Sequence, residues 1–301
     1  MPELPDVEVY VEALRDRVAG KPLERVRLGS PFLLRTVAPP LSAFAGRRVE
    51  AVSRLGKRVV LGFDGDLFLV LHLMIAGRLH WKPAGAKLPG KVGLAAFDFP
   101  GGTLTLTEAG TKRRAALHAV SGRAALAALD RGGLEPLEAT AQAFREALLR
   151  ENHTLKRALT DPRLLAGIGG AYADEILHRA RLSPMQLTSR LDDGEVEQLR
   201  LAVRDVLSEW TERLRRDAGG EFPEGVTAFR DGMAVHGRHR KPCPVCDTAV
   251  QRIVHAANET DYCPRCQTGG RILSDRSLAR LLKDDWPRTV EEMEALEERR
   301  R

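Results

Sequence analysis

At 301 residues, 43% of them apolar, the chain is long enough for two or three domains with real cores and too apolar to be disordered. Its net charge of +6 and pI of about 9.3 point to a polyanionic partner such as nucleic acid. No apolar run approaches a membrane span and no charged-then-apolar leader opens the chain, so the expectation is no membrane partner and a cytoplasmic, nucleoid-associated location.

The chain opens Met1-Pro-Glu-Leu-Pro-Asp-Val-Glu8. An initiator Met is usually removed before a residue as small as Pro2, which leaves a secondary amine at the terminus. An α-amine titrates far below a lysine amine, so much of it is unprotonated near neutral pH. Such an amine can attack a sugar carbon and form an iminium, and Glu3 stands beside it to move protons. Val7, Tyr10, Val11, Leu14 and Val18 then form one apolar stripe, with Pro5 in the first turn of the helix they predict. A docked helix would hold the terminus still. Taken alone, Pro-Glu-Leu-Pro reads more readily as a capped helix start.

Residues 22–120 read as β, with strands predicted at Leu23–Leu28, Arg48–Leu55, Arg58–Phe63, Leu67–Leu73, Gly77–Trp81, Leu94–Phe99, Thr103–Thr107 and Arg114–Val120. Asp64-Gly65 and Pro100-Gly101-Gly102 supply turns, and short strands at this spacing favour a sandwich or barrel. Residues 82–91 read as a mobile loop. From about 124 the pattern turns helical, which places a domain boundary near 124–135. Helical stretches follow over 124–150, Thr154–Leu159, Tyr172–Ala180 and about 195–216, with a Gly-rich turn at Gly167-Ile-Gly-Gly170. In the last helix Val196, Leu199, Val203, Val206, Leu207, Trp210 and Leu214 share a face. Residues 217–237 read as a flexible loop region.

All four cysteines fall between 243 and 266, a pattern that fits a metal site in a reducing compartment. Cys243-Pro-Val-Cys246 and Cys263-Pro-Arg-Cys266 are two Cys-x-x-Cys knuckles separated by 16 residues. They bring four thiolates to one tetrahedral zinc ion, across a hairpin with strands at Val250–Val254 and ending at Tyr262. Four protein ligands leave no open position, so this Zn2+ is structural. His236, His239 and His255 read as surface histidines or phosphate contacts. A charged helical tail follows, with as many acidic as basic side chains after residue 266.

The Pro2-Glu3 terminus, Lys57 in Leu55-Gly-Lys-Arg58, the turn Gly167-Ile-Gly-Gly-Ala-Tyr-Ala-Asp-Glu175 and the four-cysteine finger occur in that order. Together they resemble the formamidopyrimidine-DNA glycosylase/endonuclease VIII family of base-excision repair enzymes, over roughly residues 2–266. The resemblance implies an α+β chain: an N-terminal helix plus β-sandwich (1–124), a helical helix-two-turn-helix domain (125–237), a zinc finger (238–270) and a charged tail (271–301). It implies a DNA glycosylase with abasic-site lyase activity, acting as a monomer on damaged duplex, abasic or single-stranded DNA. The Pro2 amine would attack C1′ and displace the base, Glu3 would protonate the sugar or the departing group, and elimination would cut the strand. The damaged base is turned out of the helix first. Lys57 matches the family's phosphate-binding lysine, and Lys156 a basic residue near the DNA backbone. Gly170 belongs to a backbone phosphate cradle, with Tyr172 packing the turn and Glu175 bracing the site.

Several positions depart from the family pattern. Gly170 stands where an Asn usually contacts phosphate, and Asn258 where the finger hairpin usually carries an Arg. Asn258 can donate a hydrogen bond but carries no charge. In His72-Leu-Met-Ile-Ala-Gly77, Ile75 takes the place of a Met wedge. The second wedge loop, Thr107-Glu-Ala-Gly-Thr-Lys-Arg-Arg-Ala115, has no aromatic residue. These departures keep open an alternative, a DNA-damage-binding protein of the same fold with little or no glycosylase activity. The intact Pro2-Glu3 pair argues against it. A transcription factor is weaker still, since no recognition helix follows the knuckles.

Overall fold

The apolar stripe of the first segment winds into helix α1 (Leu4–Val18), and Val7, Tyr10, Val11, Leu14 and Val18 are all buried. Arg15 and Arg17 lie in its last turn, where cations complement the helix dipole. Arg15 also donates to the Val52 carbonyl at 3.1 Å, which fastens the helix to the neighbouring sheet.

The computed structural model describes residues 1–110, 112–227, 229–255, 258–273 and 287–298. The chain divides into two units, Met1–Gly133 with Ser208–Ala228, and Leu134–Leu207 with Phe229–Arg301. No helix among the described residues is long and apolar enough to cross a membrane.

The first unit holds the eight predicted strands, each end within two residues of its expected place: β1 (Arg25–Leu28), β2 (Val49–Leu55), β3 (Arg58–Phe63), β4 (Leu67–His72), β5 (Gly77–Lys82), β6 (Gly93–Phe99), β7 (Gly102–Glu108) and β8 (Ala116–Ser121). They form two antiparallel four-stranded sheets, ordered β1-β6-β7-β5 and β2-β3-β4-β8. One apolar cluster joins both sheets to α1, including Tyr10, Leu14, Phe63, Leu69, Leu71, Phe97, Leu104 and Leu106. Fully burying each such side chain contributes roughly 1.5–3 kcal/mol.

Strand β7 differs from its pattern. Thr103-Leu-Thr-Leu-Thr107 alternates as if one face met water, yet Thr103, Thr105 and Thr107 are buried as well. Their hydroxyls have partners: Thr103 donates to Asp98 at 2.8 Å, Thr105 to the His80 carbonyl at 3.4 Å, and Thr107 lies 3.0 Å from His80 Nε2. The segment expected to be mobile, 82–91, is tied by Gly85 N–H to Thr103 Oγ1 at 3.0 Å and by Arg27 to the Ala86 carbonyl at 2.7 Å.

The first unit also takes a second stretch of chain. Phe222 and Val226, in the Gly-rich region read as flexible, join the sandwich core. Phe222 packs on Tyr10 with ring centroids 5.6 Å apart. Glu224 meets His80 Nδ1 at 2.5 Å and Lys82 Nζ at 3.5 Å. Beyond the end of the helix at Ala218 this region forms neither helix nor strand among the described residues, but these contacts tie it down.

After the short helix α2 (Arg123–Ala127), helices α3 (Ala141–Leu149), α4 (Leu155–Thr160) and α5 (Gly170–Arg179) precede the long α6 (Asp193–Ala218). Thr140 caps α3 by accepting Ala143 N–H at 3.2 Å. The predicted face of α6, from Val196 to Leu214, is buried. Strands β9 (Gln251–His255) and β10 (Asn258–Tyr262) form the finger hairpin, followed by the one-turn helix α7 (Pro264–Thr268). The tail returns to the finger: Ile272 N–H donates to Arg288 O at 2.8 Å, Val290 N–H to Gly270 O at 3.0 Å, and Val290 is buried at the start of α8 (Val290–Glu298). Residues 274–286 of the expected tail lie outside the described residues.

Candidate active site and metal centre

The first group of functional side chains belongs to the start of α1 and the β2–β3 turn. Glu3 is the N-cap of α1. Its N–H donates to the Asp6 carboxylate at 2.8 Å and the Glu3 side chain reciprocates, a capping box that satisfies two helix-end donors. Pro2, Glu3 and Asp6 are all buried. Lys57 occupies the turn Leu55-Gly56-Lys57-Arg58, where Gly56 takes a φ of +59°. Arg54 spans from this turn to α1, donating to Gly56 O at 2.9 Å and to Glu8 Oε2 at 3.1 Å. That clamp sets the α1 terminus beside Lys57.

The electrostatics follow from this placement. Burial pushes the Met1 amine below its ordinary value; Arg78 and Lys57 add to the shift, while Glu3 and Asp6 oppose it. Burial likewise lowers the half-buried Lys57 ammonium, against the pull of Glu3. Arg78, which sequence reasoning missed, sits on β5 and donates to Ile75 O at 3.1 Å and Gly77 O at 2.7 Å. It steadies the β4–β5 turn, in which Met74 has a left-handed φ of +52° and Ile75 projects with 60% of its surface exposed. Only glycine fits at Gly77, where an added Cβ would lie 2.3 Å from the Leu73 carbonyl oxygen. In the 107–115 loop, buried Glu108 accepts the N–H groups of Arg114 and Ala115 at 3.0 and 3.1 Å. Lys112, Arg113 and Arg114 are exposed around it, and Thr111 lies outside the described residues.

The second group lies in the other unit, on α4, α5 and the finger. The Gly167 turn, with a φ of +80°, leads into α5 at exposed Gly170. An added Cβ at Gly170 meets no atom within 4 Å, so its lack of a side chain is not a packing requirement. Tyr172 is buried on α5. Lys156 of α4 bonds the buried Asp174 carboxylate and donates to Glu259 O of β10 at 3.0 Å. Asp174 also meets His236 Nδ1 at 2.9 Å. On the hairpin, Asp261 pairs with Arg252 at 2.8 Å and accepts Gly237 N–H at 2.7 Å. Asp174, His236 and Asp261 offer ligand atoms close together. Lys156 and Arg252 already neutralise both carboxylates, so charge gives a cation no hold there. Asn258 opens β10 opposite His255 and is exposed.

Glu175 is the hub of this group. Its buried carboxylate accepts the N–H groups of Ala234, Val235 and His236 at 2.7, 2.9 and 2.9 Å, fixing the segment that enters the finger. Glu175→Ala removes one acceptor from three amides at once. With each unsatisfied buried donor costing about 1–3 kcal/mol, and two of these three bonds only part-buried, the variant should lose roughly 3 kcal/mol or more of stability in denaturant unfolding. A loss below about 1 kcal/mol would show that water replaces the carboxylate.

The four cysteines converge. Their Sγ atoms all lie within 4.8 Å of one another, with Cys243–Cys266 at 3.9 Å, Cys246–Cys263 at 3.4 Å and Cys246–Cys266 at 3.5 Å. Tetrahedral zinc with Zn–S bonds of about 2.3 Å requires sulfurs roughly 3.8 Å apart, so the site fits structural Zn2+. Cys243 and Cys263 are buried, and Val235 and Val250 pack with them.

Comparison with known proteins agrees with this architecture. The "Formamidopyrimidine-DNA glycosylase N-terminal domain" matches residues 1–115, the "Formamidopyrimidine-DNA glycosylase H2TH domain" residues 133–218, and the "Zinc finger found in FPG and IleRS" residues 240–269. Formamidopyrimidine-DNA glycosylase of Heliobacterium modesticaldum is 35% identical over 278 residues, 89% of this chain and all of the relative. That of Thermus thermophilus is 36% identical over 278 residues, 90% of this chain and all of the relative. The crystal structure of the MutM (Fpg) protein of Thermus thermophilus superposes with a TM-score of 0.74 at 35% identity, covering 88% of this chain and 98% of that one. The Lactococcus lactis enzyme in complex with FAPY-dG-containing DNA shares the fold, with a TM-score of 0.78 at 24% identity over 88% of this chain and 100% of that one. The chain belongs to the formamidopyrimidine-DNA glycosylase family and is a base-excision-repair DNA glycosylase and abasic-site lyase with a structural zinc finger.

Proposed function

We propose that the Pro2 amine, freed by removal of Met1, is the nucleophile. It attacks C1′ of the damaged nucleotide and gives up its proton, and the glycosidic bond breaks and the base departs. The C1′–O4′ bond then opens as the nitrogen lone pair forms the C1′=N iminium, with Glu3 supplying a proton to the leaving base or to O4′. The resulting iminium acidifies the neighbouring C2′ proton. β-Elimination then breaks the C3′–O bond, and δ-elimination the C5′–O bond. Lys57 holds the adjacent phosphate. The observation that carries this reading is the capping box and Arg54 clamp, which fix Pro2 and Glu3 beside Lys57. On α5, Gly170 offers backbone to phosphate and Tyr172 supports the turn. Lys156 acts on DNA by holding the hairpin that presents Asn258. The protein works as a monomer, associated with the nucleoid.

The substrate follows from what extrusion requires. Turning a base out of a duplex costs a few kcal/mol, least where the base is absent, unpaired or single-stranded. Solved relatives of this fold are bound to DNA containing carbocyclic 8-oxo-G, FAPY-dG or an abasic site. In this chain Ile75 projects at the wedge turn, the 107–115 loop lacks an aromatic, and Gly170 and Asn258 replace two phosphate-gripping side chains. None of these changes touches Pro2, Glu3 or Lys57. Abasic-site cleavage should therefore be robust, and lesions in single strands or bubbles should be cut faster than 8-oxoguanine paired with cytosine. Single-turnover rates on matched oligonucleotides test this ordering. Fastest cleavage of the paired 8-oxoguanine duplex would contradict it and assign the wedge to Met74 or Lys112–Arg114.

Asn258 gives a separate test. Each cation set against a phosphate adds about 0.9 to the salt slope of binding. Asn258→Arg should tighten duplex binding and steepen that slope by up to about one unit. An unchanged slope would mean that the hairpin does not touch phosphate.

A further inference from the structure

One side chain links helix α5 to the metal centre. His178, in the last turn of α5, is buried, and its Nε2 lies 3.3 Å from Cys243 Sγ. The same sulfur lies 3.5 Å from Val245 N–H, which donates from inside the knuckle; His178 reaches it from outside the finger. A zinc-bound cysteine is a thiolate and carries no proton. The hydrogen in the His178–Cys243 contact therefore sits on Nε2, and the imidazole is the donor. Four thiolates around one Zn2+ leave the cluster with excess negative charge. An N–H···S bond draws charge off its sulfur and fixes the direction of its lone pairs.

We propose that His178 is a positioning residue for the zinc centre: its Nε2–H bond to Cys243 holds that thiolate on the metal and fastens the finger to the helix that carries Asp174 and Glu175. The bond lies at the far end of α5 from Gly170, so one helix joins the DNA-facing turn to the zinc ligand set. A histidine that merely filled space would be replaceable by any ring of its size. A donor is replaceable only by another donor.

The test uses the full-length zinc-loaded protein. His178→Phe keeps a ring and removes the donor, whereas His178→Gln sets a side-chain N–H near the Nε2 position. The Phe variant should lose zinc to a chelator about 10- to 100-fold more readily, and the Gln variant should stay near the wild type. With Co2+ in the site, the sulfur-to-metal charge-transfer band should move to lower energy in the Phe variant and return in the Gln variant. Equal zinc retention and an unmoved band in the Phe variant would overturn the proposal. Nitrogen-15 NMR of the unaltered protein covers the case of a Phe variant that does not fold. The His178 ring proton should be found on Nε2, and a proton on Nδ1 alone overturns the assignment. Metal analysis of the wild type separates this failure from an error about zinc itself, because protein without bound zinc would overturn both.

Discussion

A permanently blocked N-terminus, by acetylation or by an uncleaved tag ahead of Pro2, is expected to abolish strand cleavage, by on the order of a thousandfold or more. DNA binding should persist, because no phosphate contact is removed. The reason lies in the local structure. The capping box holds Glu3, Arg54 clamps α1 to the turn bearing Lys57, and Pro2 between them is buried. Burial at this end of the chain lowers the pKa of the Met1 amine, and the same desolvation is expected to favour the unprotonated form of a Pro2 amine once Met1 is removed. The cleavage rate should rise with pH and then level off as that amine loses its proton, at a lower pH than for an exposed N-terminal amine. A profile still rising into the range of an ordinary lysine amine would place the nucleophile on an exposed lysine.

Removing zinc should have the largest effect on structure. Structural zinc contributes apparent free energies of about 10–16 kcal/mol in finger peptides, more than any single hydrogen bond here. Wild-type protein should hold one zinc ion, and Cys263→Ser should lose it. The consequences spread through named contacts. Cys263 N–H donates to Gln267 Oε1 at 2.8 Å, Gln267 reaches Leu182 O at 2.9 Å, and Tyr262 accepts Leu273 N–H at 2.7 Å. Losing the metal frees the hairpin that carries Asn258 and Asp261. Duplex affinity should fall tenfold or more, about 1.4 kcal/mol at the least. Metal analysis with a binding titration checks both parts. Active protein without zinc, or a Cys263→Ser variant that binds normally, would contradict the account.

How much of this was legible in the sequence depends on the range of the signal. The eight strands were readable because their apolar runs and turn residues are local. The α1 and α6 stripes were readable because helical periodicity repeats within one segment. The zinc site was readable because two knuckles at a fixed spacing encode a ligand set. The pairings that lock the site were not. Glu175 meets residues 59 to 61 positions away, His178 meets Cys243 across 65, and His80 meets Glu224 across 144. No local pattern marks such partners, and a histidine or glutamate looks the same whether it faces water or a buried amide. The same limit explains β7, whose threonines face bonded neighbours, and the Gly-rich 217–237 segment. There Phe222 and Val226 are too sparse to show periodicity yet still complete the sandwich core.

The central claim is that the α1 terminus performs covalent chemistry on DNA. The most direct measurement is borohydride reduction of the protein mixed with abasic-site DNA, followed by peptide mapping of the trapped adduct. The account predicts a stable one-to-one adduct with the DNA sugar joined to Pro2, lost when the N-terminus is blocked. An adduct mapped to Lys57 or another lysine, or trapping at full rate with a blocked N-terminus, would contradict it.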